Sequence, residues 1–199
     1  MSSALMTTAP ASEAVTTLPE KPELSLAPGV LTWCERYIRQ PDGPDAGGAW
    51  TFTTEQKRFL FYFYAIDEAG RFIWTRAVLR RAKGWGKSPF MAAIALAELC
   101  GPVRYDRELS VRLGQPVGRP VTMPLVQVAG YSEKQTDNTM SMVRAMTLES
   151  PIVDDYGLDV GLTRIFTGGG GKLEPITASS QTAEGARPSF CVLDETHHW

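Results

Sequence analysis

The sequence predicts an α/β fold with a mainly parallel sheet, on three observations. Short apolar, β-branched segments alternate with segments of helical period. A basic, glycine-containing turn, "RRAKGWGKS", joins a strand-like run to a helix-like one. A final apolar run, "SFCVL", ends in adjacent acids, Asp194 and Glu195.

Residues 1–28 are rich in Ser, Thr, Ala and Pro and poor in large apolar groups, which predicts a disordered arm. "GVLTWCERYIR" follows as a short amphipathic helix, stopped by the breakers of "QPDGPDAGGA". "FTTEQKRFLFYFYAID" predicts a helix capped by Thr53 or Thr54, with Glu55 in its first turn and its aromatics mostly in the core. "RFIWTRAVLRRA" has strand character, and the glycine turn follows it. "SPFMAAIALAELC" is a helix with Pro89 in its first turn and Gly101-Pro102 as its stop. "PLVQVAG" is a short strand, "SEKQTDNTMSMVRAMTLES" a helix capped by Ser132, and "TRIFTGGGGKLEPITAS" two strands about a four-glycine turn. "PSFCVLDETHHW" closes the chain as a strand and its acidic end.

With 199 residues the chain is long enough for one domain with a full core. Its net charge of −2 excludes a polycation that coats nucleic acid by total charge. The local balance differs: Arg71, Arg76, Arg80, Arg81, Lys83 and Lys87 occur with no acid between them. Such a field suits a polyphosphate, and equally a solvated basic face. Cys34, Cys100 and Cys191 have no metal-ligand spacing, and an odd number without a secretory signal predicts reduced thiols. No apolar run approaches the ~20 residues that cross a bilayer, so a soluble protein is expected.

A strand, a glycine turn and a helix are the context a phosphate-binding loop requires. Backbone N–H groups at the helix start would face the phosphates, with the helix dipole behind them. Gly84 and Gly86 allow close approach and positive φ, Lys87 would reach the β- and γ-phosphates, and Ser88 would hold Mg²⁺. The consensus places glycine where this chain has Arg81. Asp194 would hold the metal, and Glu195 would polarise the attacking water. The bland alternative is a solubilising turn. His197 and His198 lack the further ligands of a zinc site.

Taken in order, these segments resemble the N-terminal ATPase domain of the large terminase subunit, the motor that packages DNA in tailed bacteriophages. "FTTEQKRFLFYFYAID" resembles its adenine-recognition segment, with Gln56 reading the base. "FIWTRAVLRRAKGWGKSPFMAAIAL" resembles its variant Walker A, in which Lys83 fills a position taken by Arg or Lys. "VQVAGYSEKQTDNTM", with Gln135, resembles the strand and helix after that loop. "ASSQTAEGARPSFCVLDETHHW" resembles the approach to Walker B, including the loop at Gly185. The likeness covers about residues 50 to 199.

The resemblance implies a RecA-like P-loop NTPase, its sheet sandwiched by helices, that binds ATP and Mg²⁺. Lys83, Gly84, Trp85, Gly86, Lys87, Ser88 and Gln56 would hold the nucleotide, and Ser88 and Asp194 the metal. Glu195, Lys87 and Lys83 would be catalytic. In the family, the strand between the Walker A and Walker B strands comes later in sequence, and a nuclease domain follows. Residues 29–199 would then be a partial ATPase domain, incomplete at its C-terminus and without the nuclease, and unstable in isolation. Double-stranded viral DNA, the portal protein, the small subunit and further copies in a homo-oligomeric ring are the implied partners, in the host cell cytoplasm and away from membranes. Arg71, Arg104, Arg119 and Arg187 are equal candidates for an arginine finger. "DETH" also fits the DExH box of superfamily 2 helicases, and a non-catalytic nucleotide- or DNA-binding fragment is the reading from another class.

Overall fold

The computed structural model describes residues 21–177 and 186–194. Their centre is β5 (Leu125–Gly130), a strand buried on both faces, as the run "LVQVAG" requires. It pairs in parallel with β8 (Lys172–Thr177) on one side and β9 (Phe190–Leu193) on the other. Beyond β8 the pairing turns antiparallel, to β7 (Ile165–Phe166) and then β6 (Asp159–Val160). Among the described residues the order is β6-β7-β8-β5-β9, with β9 at an open edge. The sheet is therefore mixed, with parallel pairing at β8-β5-β9, where the expectation was mainly parallel. The hairpin strands are short, and their tight turn can only return them antiparallel.

Helix α3 (Lys87–Cys100) carries Ala, Ile and Leu on every face and is buried from Ala92 through Cys100. A helix apolar all round belongs inside. It packs on the sheet beside α5 (Glu133–Thr147), which itself lies on β5 and β8, and is covered by α1 (Ala27–Tyr37) and, through the Phe59–Phe90 ring contact, by α2 (Thr54–Phe63). One acid breaks its pattern: Glu98 is 2% exposed. Its carboxylate receives Arg104 Nη1 at 2.9 Å and the Tyr64 hydroxyl at 3.0 Å. Burial still holds this carboxyl above its ordinary pKa, against the opposing pull of Arg104.

Both predicted caps form. Thr53 Oγ1 accepts from Gln56 N while Gln56 Oε1 accepts from Thr53 N, and Ser132 and Gln135 make the equivalent box on α5. Outside the central sheet, β1 (Leu24–Ser25) pairs with β2 (Ala65–Ile66), and β3 (Arg104–Tyr105) with β4 (Gly118–Arg119) around α4 (Arg107–Leu113). The small α6 (Ile152–Tyr156) leads into β6. No helix among the described residues is long and apolar enough to cross a membrane.

Two expectations need correction. The arm was expected to run to residue 28, yet β1 already pairs at Leu24, Leu26 is 2% exposed, and α1 has begun at Ala27. Residues 1–20 lie outside the described residues. The strand expected in "RFIWTRAVLRRA" does not form: Phe72 makes an isolated bridge to Ile66, and residues 75–82 are irregular, with Val78 89% exposed. A β-branched run becomes a strand only beside a neighbour that takes its N–H and C=O groups. β2 meets this segment only at Phe72 and Ile73, whose N–H donates to the Ala65 carbonyl, and beyond them no strand among the described residues lies against it.

Candidate functional site

The turn at Lys83–Gly86 ends on Gly86, the N-cap of α3, at φ +88°; Gly84 has φ +86°. Both lie in the left-handed region, where a Cβ is strained. No side chain caps the start of α3, so its first N–H groups face the loop with no side-chain acceptor. Such a terminus is favourable to an anion. Lys87 extends back over the turn, donating from Nζ to the carbonyls of Arg81 at 3.0 Å and Ala82 at 3.1 Å. Lys83 is exposed, and Trp85 and Ser88 are half-buried.

The loop is also held from α2. Glu55 Oε1 accepts from Arg81 Nε at 2.9 Å and from Arg81 Nη2, and Glu55 Oε2 accepts from Trp85 Nε1 at 2.8 Å. The Arg81 guanidinium carbon sits 5.7 Å from the centre of the Trp85 ring. The indole and guanidinium bonds together hold the Glu55 carboxyl below its ordinary pKa.

Beside the loop is a cavity of about 400 Å³ whose walls include Asp42, Asp45, Trp50, Gln56, Trp85 and Gly86. That size falls in the range of small-molecule sites. Gln56 is 4% exposed, and its amide nitrogen lies 4.0 Å from where a Cβ on Gly86 would stand. Its amide oxygen serves the helix cap. The buried indole N–H of Trp50 has no acceptor among the described residues.

Asp194 continues the β9 ladder, its N–H donating to the Ala129 carbonyl at 2.8 Å, and its Oδ2 accepts from Thr139 Oγ1 of α5 at 3.2 Å. Contacts at the far end of the sheet orient α3 against it. Arg104, just beyond α3 and paired to Glu98 in its last turns, donates from Nη2 to the carbonyl of Ser189, which precedes β9. The C-terminal end of α3 therefore lies at the start of β9. Its 14 residues, about 21 Å at 1.5 Å each, run back across β5 and β9 toward the carboxyl end of β9. Helix α2 runs the same way, with Gln56 near Gly86 and the Phe63 ring 6.1 Å from that of Phe190. The glycine loop and Asp194 thus share one edge of the sheet, the carboxyl edge where open α/β sheets bind ligands.

Glu195, His197, His198 and Gly185 lie outside the described residues, among which no His, Cys, Asp and Glu cluster suits a metal by itself. Arg104 is taken up inside the fold by Glu98 and Ser189, which removes it from the arginine-finger candidates. Glu55 and Thr139 are site neighbours that the sequence did not single out. An acid in a first helical turn normally serves the dipole, and a threonine inside a helix carries no signal of its partner.

No protein-family model matches this chain. It is 39% identical over 196 residues to the Gene 13 protein of Mycobacterium phage L5, covering 89% of this chain and 32% of that protein. The Gene 13 protein of Mycobacterium phage D29 is 38% identical over the same length, with the same coverage. The chain therefore spans about a third of the length of these relatives. Among solved structures, the large terminase of bacteriophage HK97 superposes with a TM-score of 0.63 at 17% identity, over 85% of this chain and 31% of that one. The mixed α/β sheet flanked by helices is similar to that of a phage large terminase.

Proposed function

We propose that this chain forms part of the ATP-hydrolysing motor of a phage terminase large subunit, in which ATP hydrolysis drives viral DNA into the procapsid. What supports the reading is the course of α3, which runs from the basic glycine loop at its start to the beginning of β9 at its end, so that the loop would face the strand end where Asp194 stands. Residues 29–199 would contribute an ATPase domain of RecA-like type. The full-length protein would also carry a nuclease domain, and double-stranded DNA, the portal protein, the small subunit and a ring of copies would be its partners in the host cytoplasm.

The residues present suit a magnesium–nucleotide complex. The uncapped N-terminus of α3 supplies donors for phosphate oxygens, and Lys87 supplies a cation already drawn over the loop. The adjoining cavity has an aromatic wall and acidic residues at Asp42 and Asp45, which disfavour phosphate and suit the base and ribose. A purine nitrogen or ribose oxygen would answer the Trp50 N–H that lacks an acceptor. Gln56, Lys83, Gly84, Trp85, Gly86, Lys87 and Ser88 would bind the nucleotide. Ser88 and Asp194 would hold magnesium, which when bound neutralises charge on the phosphates. Glu195 would orient the attacking water and accept its proton.

Nucleotide binding and phosphate release by the full chain, at matched magnesium, test this assignment. Lys87→Ala is expected to lose binding. Glu195→Gln is expected to keep binding and lower turnover by about 10²–10⁴. Unchanged turnover would remove Glu195 from its role, and a full chain that binds no nucleotide would overturn the reading.

A further inference from the structure

The departure from the glycine-loop consensus at Arg81 coincides with the one side chain that ties the loop to a neighbouring helix. Glu55 uses both carboxylate oxygens on this loop: Oε1 takes the Arg81 guanidinium, and Oε2 takes the Trp85 indole N–H at 2.8 Å. Those two residues flank the turn. Arg81 enters it, and Trp85 directly precedes Gly86, where the left-handed N-cap begins α3. The Arg81 guanidinium lies over the Trp85 ring, so the two ends also contact each other. On the main chain, the Arg81 carbonyl accepts from Lys87. One carboxylate thus fixes the residue whose backbone places the lysine.

The alternative is a set of surface contacts with no consequence. Single exposed ion pairs usually contribute little. Here two guanidinium N–H groups on one carboxylate oxygen, an indole N–H on the other and a ring contact hold a segment whose residues 75–82 have no sheet pairing. Apart from the Lys87 bonds to the Arg81 and Ala82 carbonyls and the packing of Leu79 and Trp85 on the core, the side-chain hydrogen bonds between residues 76–86 and the rest of the described residues run through Glu55.

We propose that Glu55 is a positioning residue, a latch on α2 that sets the shape of the Arg81–Trp85 loop before any anion binds, with Arg81 standing in for the consensus glycine as its partner. The latch itself is a matter of geometry. Its consequence for nucleotide affinity rests on the nucleotide-binding reading given above.

Two measurements on the full chain separate the two claims. The first needs no nucleotide: amide exchange across residues 82–88 in Glu55→Gln, Arg81→Gln and the double variant. Each single change is expected to speed exchange there about three- to tenfold and leave β5 and α5 unchanged. The double variant should be no faster than the faster single one, because both changes break one interaction. Unchanged exchange, or effects that multiply, would overturn the latch. The second is the Kd of a fluorescent non-hydrolysable ATP analogue, with Lys87→Ala as the reference for loss of the site. Glu55→Gln is expected to weaken binding about three- to tenfold while kcat at saturating ATP holds. If the unsubstituted chain fails to bind the analogue, the nucleotide reading falls and the exchange result still decides the latch. An equal Kd would overturn the claim that the loop's shape is set for the anion.

Discussion

Helix α3 and the loop that leads into it are joined at Gly86, and they are held by opposite means. From Ala92 to Cys100 the helix is buried, packed against β5, β8 and β9 and against α1 and α5. The approach from Arg76 to Trp85 has no strand partner and carries Val78 at 89% exposure. One is fixed by apolar burial, which grows with area and has no direction. The other is fixed by a carboxylate, a guanidinium and an indole, which are directional and individually weak. A site built at this boundary has a rigid floor and an adjustable rim, which suits a loop that must close on a ligand and release it.

The contrast breaks most completely at Phe90. This ring is fully buried where α3 leaves the loop, in edge contact with Phe52, Phe59 and Trp85. Phe90→Ala is expected to cost about 3–5 kcal/mol, read by denaturant unfolding. A loss under about 1 kcal/mol would mean that the helix start is as soft as the loop before it.

Next in size is the polar pair inside the core. Arg104→Ala would strand the Glu98 carboxylate in an apolar helix, at about 3 kcal/mol. Glu98 also gives this region a pH signature. Its folded pKa is raised by burial, so in the window from the ordinary glutamate value upward the folded state binds more protons than the unfolded state. Its contribution to stability is therefore greatest at low pH and declines as pH rises through that window. Glu98→Gln should flatten this slope, and an unchanged slope would assign the pH dependence elsewhere.

The same division explains what could be read from the sequence. Helix α3, strand β5 and both capped helices were legible because apolar period and local capping chemistry act within a few residues. The strand at residues 71–82 was misread because strand identity depends on a neighbour, which composition does not supply. The mixed sheet was missed for a related reason: "TRIF" and "KLEPIT" read as strands, but their direction relative to β5 is a tertiary fact. Around the candidate site, a left-handed glycine turn opening α3 and an acid at the end of β9 were legible as motif and spacing, while the strand expected to lead into the turn does not form. Glu55 and Thr139 were not, because their roles come from partners 26 and 55 residues away in the chain.

The smallest expected effect gives the sharpest test of the comparison. Val78 lies in a run that has strand composition and no strand partner. If it stands in water, Val78→Ser removes no buried methyl group, and stability should change by less than about 0.5 kcal/mol. If the run instead enters a sheet in solution, by pairing along the open edge of β9, the same change would remove β-branched packing and cost about 1 kcal/mol or more. The shift should then grow with protein concentration if the partner strand comes from a second molecule. Measured at two concentrations by denaturant unfolding, this single substitution separates a loop held by its polar latch from a strand that awaits its neighbour.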